Sequence, residues 1–150
     1  MELASLRKHS FSEAKARLSD VMSEVVRDHA PTLIERHNGK EAMLLLDAEL
    51  LESLLEGFGF STKASVSDGE FVLRQPELRL IAGGESFEEA VEDLCEQALA
   101  YAARFFERCD FYRQTDRAEH LPYLLRLLLA EPDERRAMLI PTPEAPPSGA

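Results

Sequence analysis

The chain has 150 residues, a net charge of −11 at pH 7 and 45% apolar residues. That length suits one domain or two small ones, and that apolar content suffices for a packed core. No run approaches the roughly 20 apolar residues of a membrane span, and Cys95 and Cys109 lack metal-ligand spacing, so a reduced, cytoplasmic compartment is expected.

A short strand is expected at residues 2–8. Ser10 and Glu13 then fit a capping box, in which each side chain satisfies a free N–H at a helix start. Ala14, Leu18, Val21, Met22 and Val25 follow at helical spacing and predict one buried stripe. Lys15 and Arg17 flank that stripe, and Pro31 ends the pattern. Residues 32–46 read as a hairpin turning on Asn38-Gly39, because both residues tolerate the positive φ of a type I′ turn. Asp47 suits the N-cap of a second helix, and Gly57 suits its end.

This order of elements resembles the Phd/YefM (prevent-host-death) family of bacterial antitoxins. The residues that carry the resemblance are Ser12-Glu13-Ala14-Lys15 with Arg17-Leu18-Ser19, Leu33-Ile34-Glu35-Arg36 with Gly39-Lys40, and Ala42–Asp47 with Glu49-Leu50-Leu51. The resemblance covers about residues 3–56. It implies an N-terminal module, residues 1–57, of strand, helix, hairpin and helix, which dimerises through its sheet and binds operator DNA. It also implies that the rest of the chain wraps a toxin. Two positions depart from the family pattern: Lys15 stands where Arg is usual, which weakens a bidentate contact, and Glu41 stands where Pro is usual. The DNA-binding residues expected are Arg7, Lys8, Ser10, Ser12, Lys15 and Arg17; Arg7, Lys8, Lys15 and Arg17, with His9, are close in sequence and supply a basic face. His9 and His37 have no partner at ligand spacing and read as surface residues. Arg36 and Lys40 read as solubilising charges beside the turn.

The negative charge does not contradict DNA binding, because it is not evenly spread. Residues 1–46 carry seven Lys/Arg and seven Asp/Glu, whereas residues 47–150 carry ten and twenty-one. Screening acts over about 8 Å at physiological salt, so a basic face on the first module keeps its local field. Binding that rests on so few phosphate contacts is expected to be weak per dimer and steeply salt-dependent.

Residues 58–69 are rich in Gly, Ser and Thr and read as a flexible linker, with Phe58 and Phe60 expected to pack back on the second helix. Strands are expected at 70–74 and 78–82, the second ended by Gly83-Gly84. Ser86 and Glu89 form another capping box. A long helix follows with a stripe of Phe87, Val91, Leu94, Ala98, Tyr101 and Phe105, widened by Ala90, Cys95, Ala102, Phe106 and Cys109. Such a wide stripe calls for burial on more than one side. Residues 121–129 predict a helix that is apolar almost all round, begun by Pro122 and ended by Pro132. One more turn or two are expected at 133–140, and the Pro-rich residues 141–150 are expected to be disordered.

The fold class expected is therefore α+β: the N-terminal module, the linker, and a mainly helical region at 70–140 with one or two strands. The piece around Gly83-Gly84-Glu85-Ser86 and Glu89-Ala90 resembles part of the HicB-type antitoxins. An acidic, apolar-striped region tethered to a DNA-binding module suits a basic, RNA-targeting toxin, with charge giving complementarity and apolar anchors giving affinity. The anchors expected are Phe71, Leu73, Leu78, Leu80, Phe87, Leu94, Phe105, Leu124 and Leu128. In the alternative, residues 70–140 form their own core or a second dimer interface. No phosphate loop, nucleophile elbow, zinc-protease helix or paired-cysteine motif occurs, so no enzyme, cofactor or metal is expected. The function expected is a toxin–antitoxin antitoxin that binds its toxin, represses its own operon and dimerises through the N-terminal module. The alternative is a free-standing DNA-binding regulator with a C-terminal interaction domain.

Overall fold

The computed structural model describes residues 6–141. Residues 1–5 and 142–150 lie outside the described residues. They include the start of the expected first strand and nearly all of the expected tail. The described chain is α+β, with two three-stranded sheets and seven α-helices. It forms two compact units that divide between Leu54 and Leu55.

Unit 1 opens with β1 (Arg7–Ser10), which leads directly into α1 (Phe11–Ala16) and α2 (Leu18–Asp28). Ser10 caps α1, its Oγ accepting from the Glu13 N–H at 3.2 Å. The Glu13 carboxylate does not return to the cap; it lies 3.7 Å from His9 Nδ1. The single expected helix is two, broken at Arg17 (φ −128°, ψ 34°). Hydrogen bonding continues through the break, since Arg17 N–H donates to Glu13 O and Arg17 O accepts from Val21 N–H. No Pro or Gly marks the position. The break also divides the expected apolar stripe. Ala14, Val21 and Val25 are buried, but Leu18 and Met22, the latter 63% exposed, face outward with Val26.

The helical crossover returns the chain as β2 (Thr32–Arg36), parallel to β1 with Lys8 opposite Leu33 and Ser10 opposite Glu35. A parallel neighbour needs such a crossover, and it is this connection that sets β1 beside β2. β3 (Glu41–Leu45) then pairs antiparallel with β2. The connection turns on Asn38 (φ 57°) and Gly39 (φ 80°), as expected, and His37 joins them at φ 54°. Lys40 N–H closes the turn on His37 O at 3.2 Å. Asp47, just before α3 (Ala48–Leu55), holds His29 Nδ1 at 2.7 Å. His29 sits in the left-handed region at φ 50° and ends α2, so this contact ties the end of α2 to the start of α3.

Unit 2 overturns the expected linker. Phe58 and Phe60 pack edge-on against Tyr123, with ring centroids 5.4 and 5.7 Å away. Arg126 donates to the Phe58 carbonyl at 2.9 Å, and Glu77 accepts from Ser61 N–H at 2.9 Å. Then β4 (Lys63–Ser67) pairs antiparallel with β5 (Glu70–Gln75). Their two-residue turn is Asp68-Gly69, both at positive φ, the same turn chemistry as Asn-Gly. A composition argument hides it, because β4 is a strand of small polar residues. β6 (Leu80–Gly84) completes the sheet beside β5. The unit thus has three strands rather than one or two. In the β5–β6 turn, buried Gln75 accepts from Leu78 N–H at 2.7 Å, which satisfies its amide oxygen.

The long α4 (Phe87–Glu107) is capped by Ser86, whose Oγ accepts from Glu89 N–H at 3.1 Å. The Glu89 carboxylate accepts in return from Glu85 N–H. The buried face is Ala90, Val91, Leu94, Ala98, Tyr101, Ala102 and Phe105, close to the stripe read from the sequence. Gly84 lets β6 end against the first turn of α4; a Cβ there would lie 2.6 Å from Glu89 Cβ and 2.7 Å from Ala90 N. The helix stops at Arg108, so Cys109 begins a separate α5 (Cys109–Tyr112) and does not share α4 with Cys95. Both cysteines are free and half-buried. A 3-10 turn (Asp116–His120) leads into α6 (Leu121–Leu129), with Pro122 in its first turn, and α7 (Pro132–Leu139) follows. Leu124, Leu127 and Leu139 close the core over α4. Full burial of side chains of this size contributes about 1.5–3 kcal/mol each.

Candidate functional site

The six candidate DNA-contacting residues all lie on β1, α1 and the α1–α2 junction, spread over adjoining hollows rather than gathered in one. Lys8, Ser10 and Ser12 line an open cleft with His9, Phe11 and the turn residues Arg36–Gly39. This grouping follows from the parallel β1–β2 pairing, which sets the end of β2 beside the start of α1. Sequence reasoning misses it because nothing in the sequence states that β1 and β2 are neighbours. Arg36, expected as a solubilising charge, is therefore a wall of the cleft. It pairs with Glu41 across the β2–β3 ladder and stands 5.6 Å over the Phe11 ring. Ser10 is half committed, since its Oγ caps α1.

Arg7 lines an adjoining recess with Glu24, Arg27 and Asp28, and Lys8 and His9 border both this recess and the cleft. Its guanidinium donates to Asp28 at 3.0 Å. That hydrogen bond, helped by a second from Arg27, holds the Asp28 carboxyl below the usual carboxylate range. Arg7 thus shares one carboxylate with Arg27 and keeps its side chain 48% exposed. Arg17 lines a third recess with His9 and Glu13, and its Nε lies 3.5 Å from Asp20. Lys15 is exposed in the last turn of α1 and has no ion pair among the described residues. Lys8 and Lys15 are accordingly the cations of this region best able to meet a phosphate.

The nine apolar anchors assigned to a toxin sort by burial. Leu73, Leu78, Leu94, Phe105 and Leu124 are fully buried in the core of unit 2 and are closed to a partner. The wide stripe of α4 is covered by the unit's own sheet and by α6 and α7, so the self-contained core foreseen as the alternative is what forms. Phe71, Leu80 and Phe87 are partly buried against that core. Leu128, 43% exposed, is the one anchor of the nine that faces outward.

Inside unit 2 the most enclosed polar pair is Tyr101 and His120. The Tyr101 hydroxyl and His120 Nδ1 are 2.6 Å apart, and both residues are almost completely buried. His120 Nε2 has no partner among the described residues. Burial lowers the pKa of His120, with Arg79 nearby adding to the effect, and burial raises that of Tyr101. Both groups are therefore held neutral. Arg117 stands 5.5 Å over the Tyr101 ring. Among the described residues one group of three could hold a cation: His29, Asp47 and Glu49, with ligand atoms within 4.8 Å of one another. The His29–Asp47 hydrogen bond accounts for two of the three being so close. No helix among the described residues is long and apolar enough to cross a membrane.

Among known proteins, antitoxin YefM of Escherichia coli (strain K12) is 49% identical over 51 residues, which are 34% of this chain and 60% of that protein. Antitoxin YefM of Shigella flexneri is 49% identical over 51 residues, 34% of this chain and 56% of that protein. The match thus spans less than two thirds of either relative. A crystal structure from Syntrophomonas wolfei subsp. wolfei, described as an antitoxin part of a proposed toxin/antitoxin system, has the same fold. Its TM-score is 0.74 at 24% identity, covering 89% of this chain and 96% of that one. The PHD_like family, described as the antitoxin of RelE/RelB toxin–antitoxin (TA) systems, matches residues 5–141 and so runs through both units. The chain belongs to this family of Phd/YefM-type antitoxins.

Proposed function

We propose that this chain neutralises a cognate toxin by binding it directly and represses its own operon through a dimeric unit 1. The observation that carries the reading is the family match over residues 5–141, which spans both units. Three features support its parts. The edge strand β3 is apolar on both faces and exposed on both, Met43 at 56% and Leu44 at 44%. A strand of that kind is unfinished without a partner, and a second copy supplies one at no cost in specificity. Lys8 and Lys15 stand free on the surface of unit 1 for phosphate contact, and the cleft beside Lys8 adds Ser12, His37 and Asn38 as further polar groups. Residues 55–150 carry ten Lys/Arg against eighteen Asp/Glu, which suits a basic, RNA-targeting toxin held by charge complementarity and by outward apolar residues such as Leu128.

One observation favours the second reading, a DNA-binding regulator whose C-terminal unit serves another interaction. Unit 2 closes its own core and leaves few of the expected anchors free. Co-expression of the chain with the product of a neighbouring gene decides between the two. Growth rescue together with copurification supports neutralisation; a toxic neighbour that the chain neither binds nor relieves overturns it. A gel shift with the chain's own promoter tests repression separately.

A further inference from the structure

The two edges of the unit 2 sheet are treated differently. In a two-residue hairpin the residues flanking the turn exchange backbone hydrogen bonds, and such pairs then alternate with pairs that do not. The β4–β5 register around Asp68-Gly69 therefore points the backbone groups of Lys63, Ser65 and Ser67 at β5. Those of Ala64 and Val66 point out to the free edge. By the same count through β5 and β6, the outward groups of β6 belong to Ile81 and Gly83. There the molecule closes the edge with side chains of α4. Asp93 accepts from Gly83 N–H at 3.0 Å, Gln97 donates to Ile81 O at 3.0 Å, and Gln97 also donates to Asp93 at 3.1 Å.

Nothing among the described residues does the same for β4. All five of its residues are exposed, and no hydrogen bond reaches the outward N–H or C=O of Ala64 or Val66. Native sheets blunt a free edge with Pro, a bulge, charge or a covering element. Here β4 carries one Lys at its end and is otherwise Ala, Ser and Val. Val66 is 64% exposed on the sheet face that α4 covers further along.

We infer that β4 is a docking edge for the β4 of a second copy, joining two unit 2 sheets into one antiparallel six-stranded sheet. The sequence of the strand is complementary to itself in that arrangement. A two-fold axis through Ser65 sets Ala64 opposite Val66 of the second copy, with their outward groups exchanging four hydrogen bonds, two on each side of the axis. The same axis keeps Ala64 and Val66 of both copies on the helix-covered face, where they meet as an apolar row. It also brings Lys63, at the basic end of the β4–β5 hairpin beside Arg74, against Ser67 and Asp68 of the other copy, at the acidic end beside Glu70. The only other occupant of comparable fit is an extended segment of a heterologous protein, and the mixed local charge gives no preference for a cationic one.

The test uses the full chain. At the axis, a pair that shares no hydrogen bond has its Cα atoms about 4.5 Å apart, within disulfide range. Ser65→Cys is therefore expected to form an inter-chain disulfide on mild oxidation. Ser67→Cys is not, because the two copies of residue 67 would lie about 14 Å apart, a four-residue offset at about 3.4 Å each. The unaltered chain run beside them reports any background from Cys95 and Cys109. Val66→Pro removes an N–H that does not serve the β4–β5 ladder. It is expected to abolish the Ser65→Cys link and, in a Met43→Asp background that removes association through unit 1, to weaken self-association at least tenfold by sedimentation, while Val66→Thr, which keeps the N–H, restores both. Circular dichroism of Val66→Pro confirms that the hairpin survives. Equal cross-linking at positions 65 and 67, or none at 65, overturns the inference. So does a Val66→Pro, Met43→Asp chain that self-associates as strongly as Met43→Asp alone, including one that has lost only its binding to a co-expressed partner.

Discussion

Tyr101→Phe removes one oxygen from the centre of unit 2 and tests how its core is held. The Tyr101 hydroxyl is the one hydrogen-bond partner of His120 among the described residues, at 2.6 Å, and His120 Nε2 already has none. Without the hydroxyl, a fully buried imidazole has no partner at either nitrogen. Leaving a buried polar group unsatisfied costs about 1–3 kcal/mol. In a unit of this size each kcal/mol lowers the melting temperature by about 4–8 °C. His120→Leu alone takes the histidine partner from the hydroxyl and is destabilising in the same direction, with Arg117 beside the hydroxyl limiting the loss. The double variant replaces both partners by apolar groups and is expected to cost clearly less than the two single changes together. The pair also dictates a pH signature. Burial lowers the pKa of His120 from 6.5, so the folded state binds fewer protons than the unfolded one just below that pH. Its contribution is complete above about pH 6.5 and is lost as the pH falls below that value. The chain should therefore melt lower as pH falls from 7 toward 5, and His120→Leu should flatten that dependence. Urea or thermal melts of the four chains between pH 5 and 8 are the assay. Single-variant effects that add to within about 0.5 kcal/mol, or a pH dependence unchanged by His120→Leu, would refute the reasoning.

The remaining predictions concern single positions. Gly84→Ala places a Cβ against the backbone of α4, which cannot yield as a flexible side chain would; it should cost about 1–3 kcal/mol, and a melt equal to that of the unaltered chain would disprove the close approach. Met43→Asp puts a charge on the exposed apolar edge of unit 1. If burial there contributes the usual 1.5–3 kcal/mol or so per side chain, sedimentation should show self-association through unit 1 weakened by at least tenfold, and an unchanged association constant would remove β3 from the interface. Lys15→Ala with Arg17→Ala should lower promoter affinity and reduce the slope of log K against log salt by roughly 0.9 for each phosphate that is no longer neutralised. An unaltered slope would mean that neither residue meets the backbone. Because Arg17 already lies near Asp20, most of the change should come from Lys15.

Much of unit 2 was legible because its signals are local and strong. The capping Ser86, the period of α4 from Val91 to Phe105, and Pro122 at the start of α6 are each a short-range pattern with one structural solution. Unit 1 was legible in its order of elements and less so in its contacts. Nothing near Arg17 warns that the helix breaks, and with the break Leu18 and Met22 change from core to surface. β4 escaped because its residues are small and polar, so that composition suggested a linker while Asp68-Gly69 was the more specific signal. The candidate site suffered most. A sequence shows that Lys8 and Arg36 are basic, but their convergence depends on the parallel pairing of β1 with β2. Five of the nine expected toxin anchors lie in the core of unit 2 for a related reason: hydrophobicity identifies residues that need covering and does not say whether the cover is the chain itself.

The contact between Arg126 and the Phe58 carbonyl has a bearing on how the molecule is made. The strap that opens unit 2 is fastened by a residue 68 positions later, and the core it covers also needs Leu139 near the end of α7. During translation, unit 1 is complete and clear of the ribosome while most of its successor is still unmade. At about 5–20 residues per second, the nascent chain spends several seconds with only unit 1 assembled. Unit 2, in contrast, can close only once Arg126 and Leu139 have been made, so a polypeptide truncated before α6 would carry a finished head and an unfastened remainder.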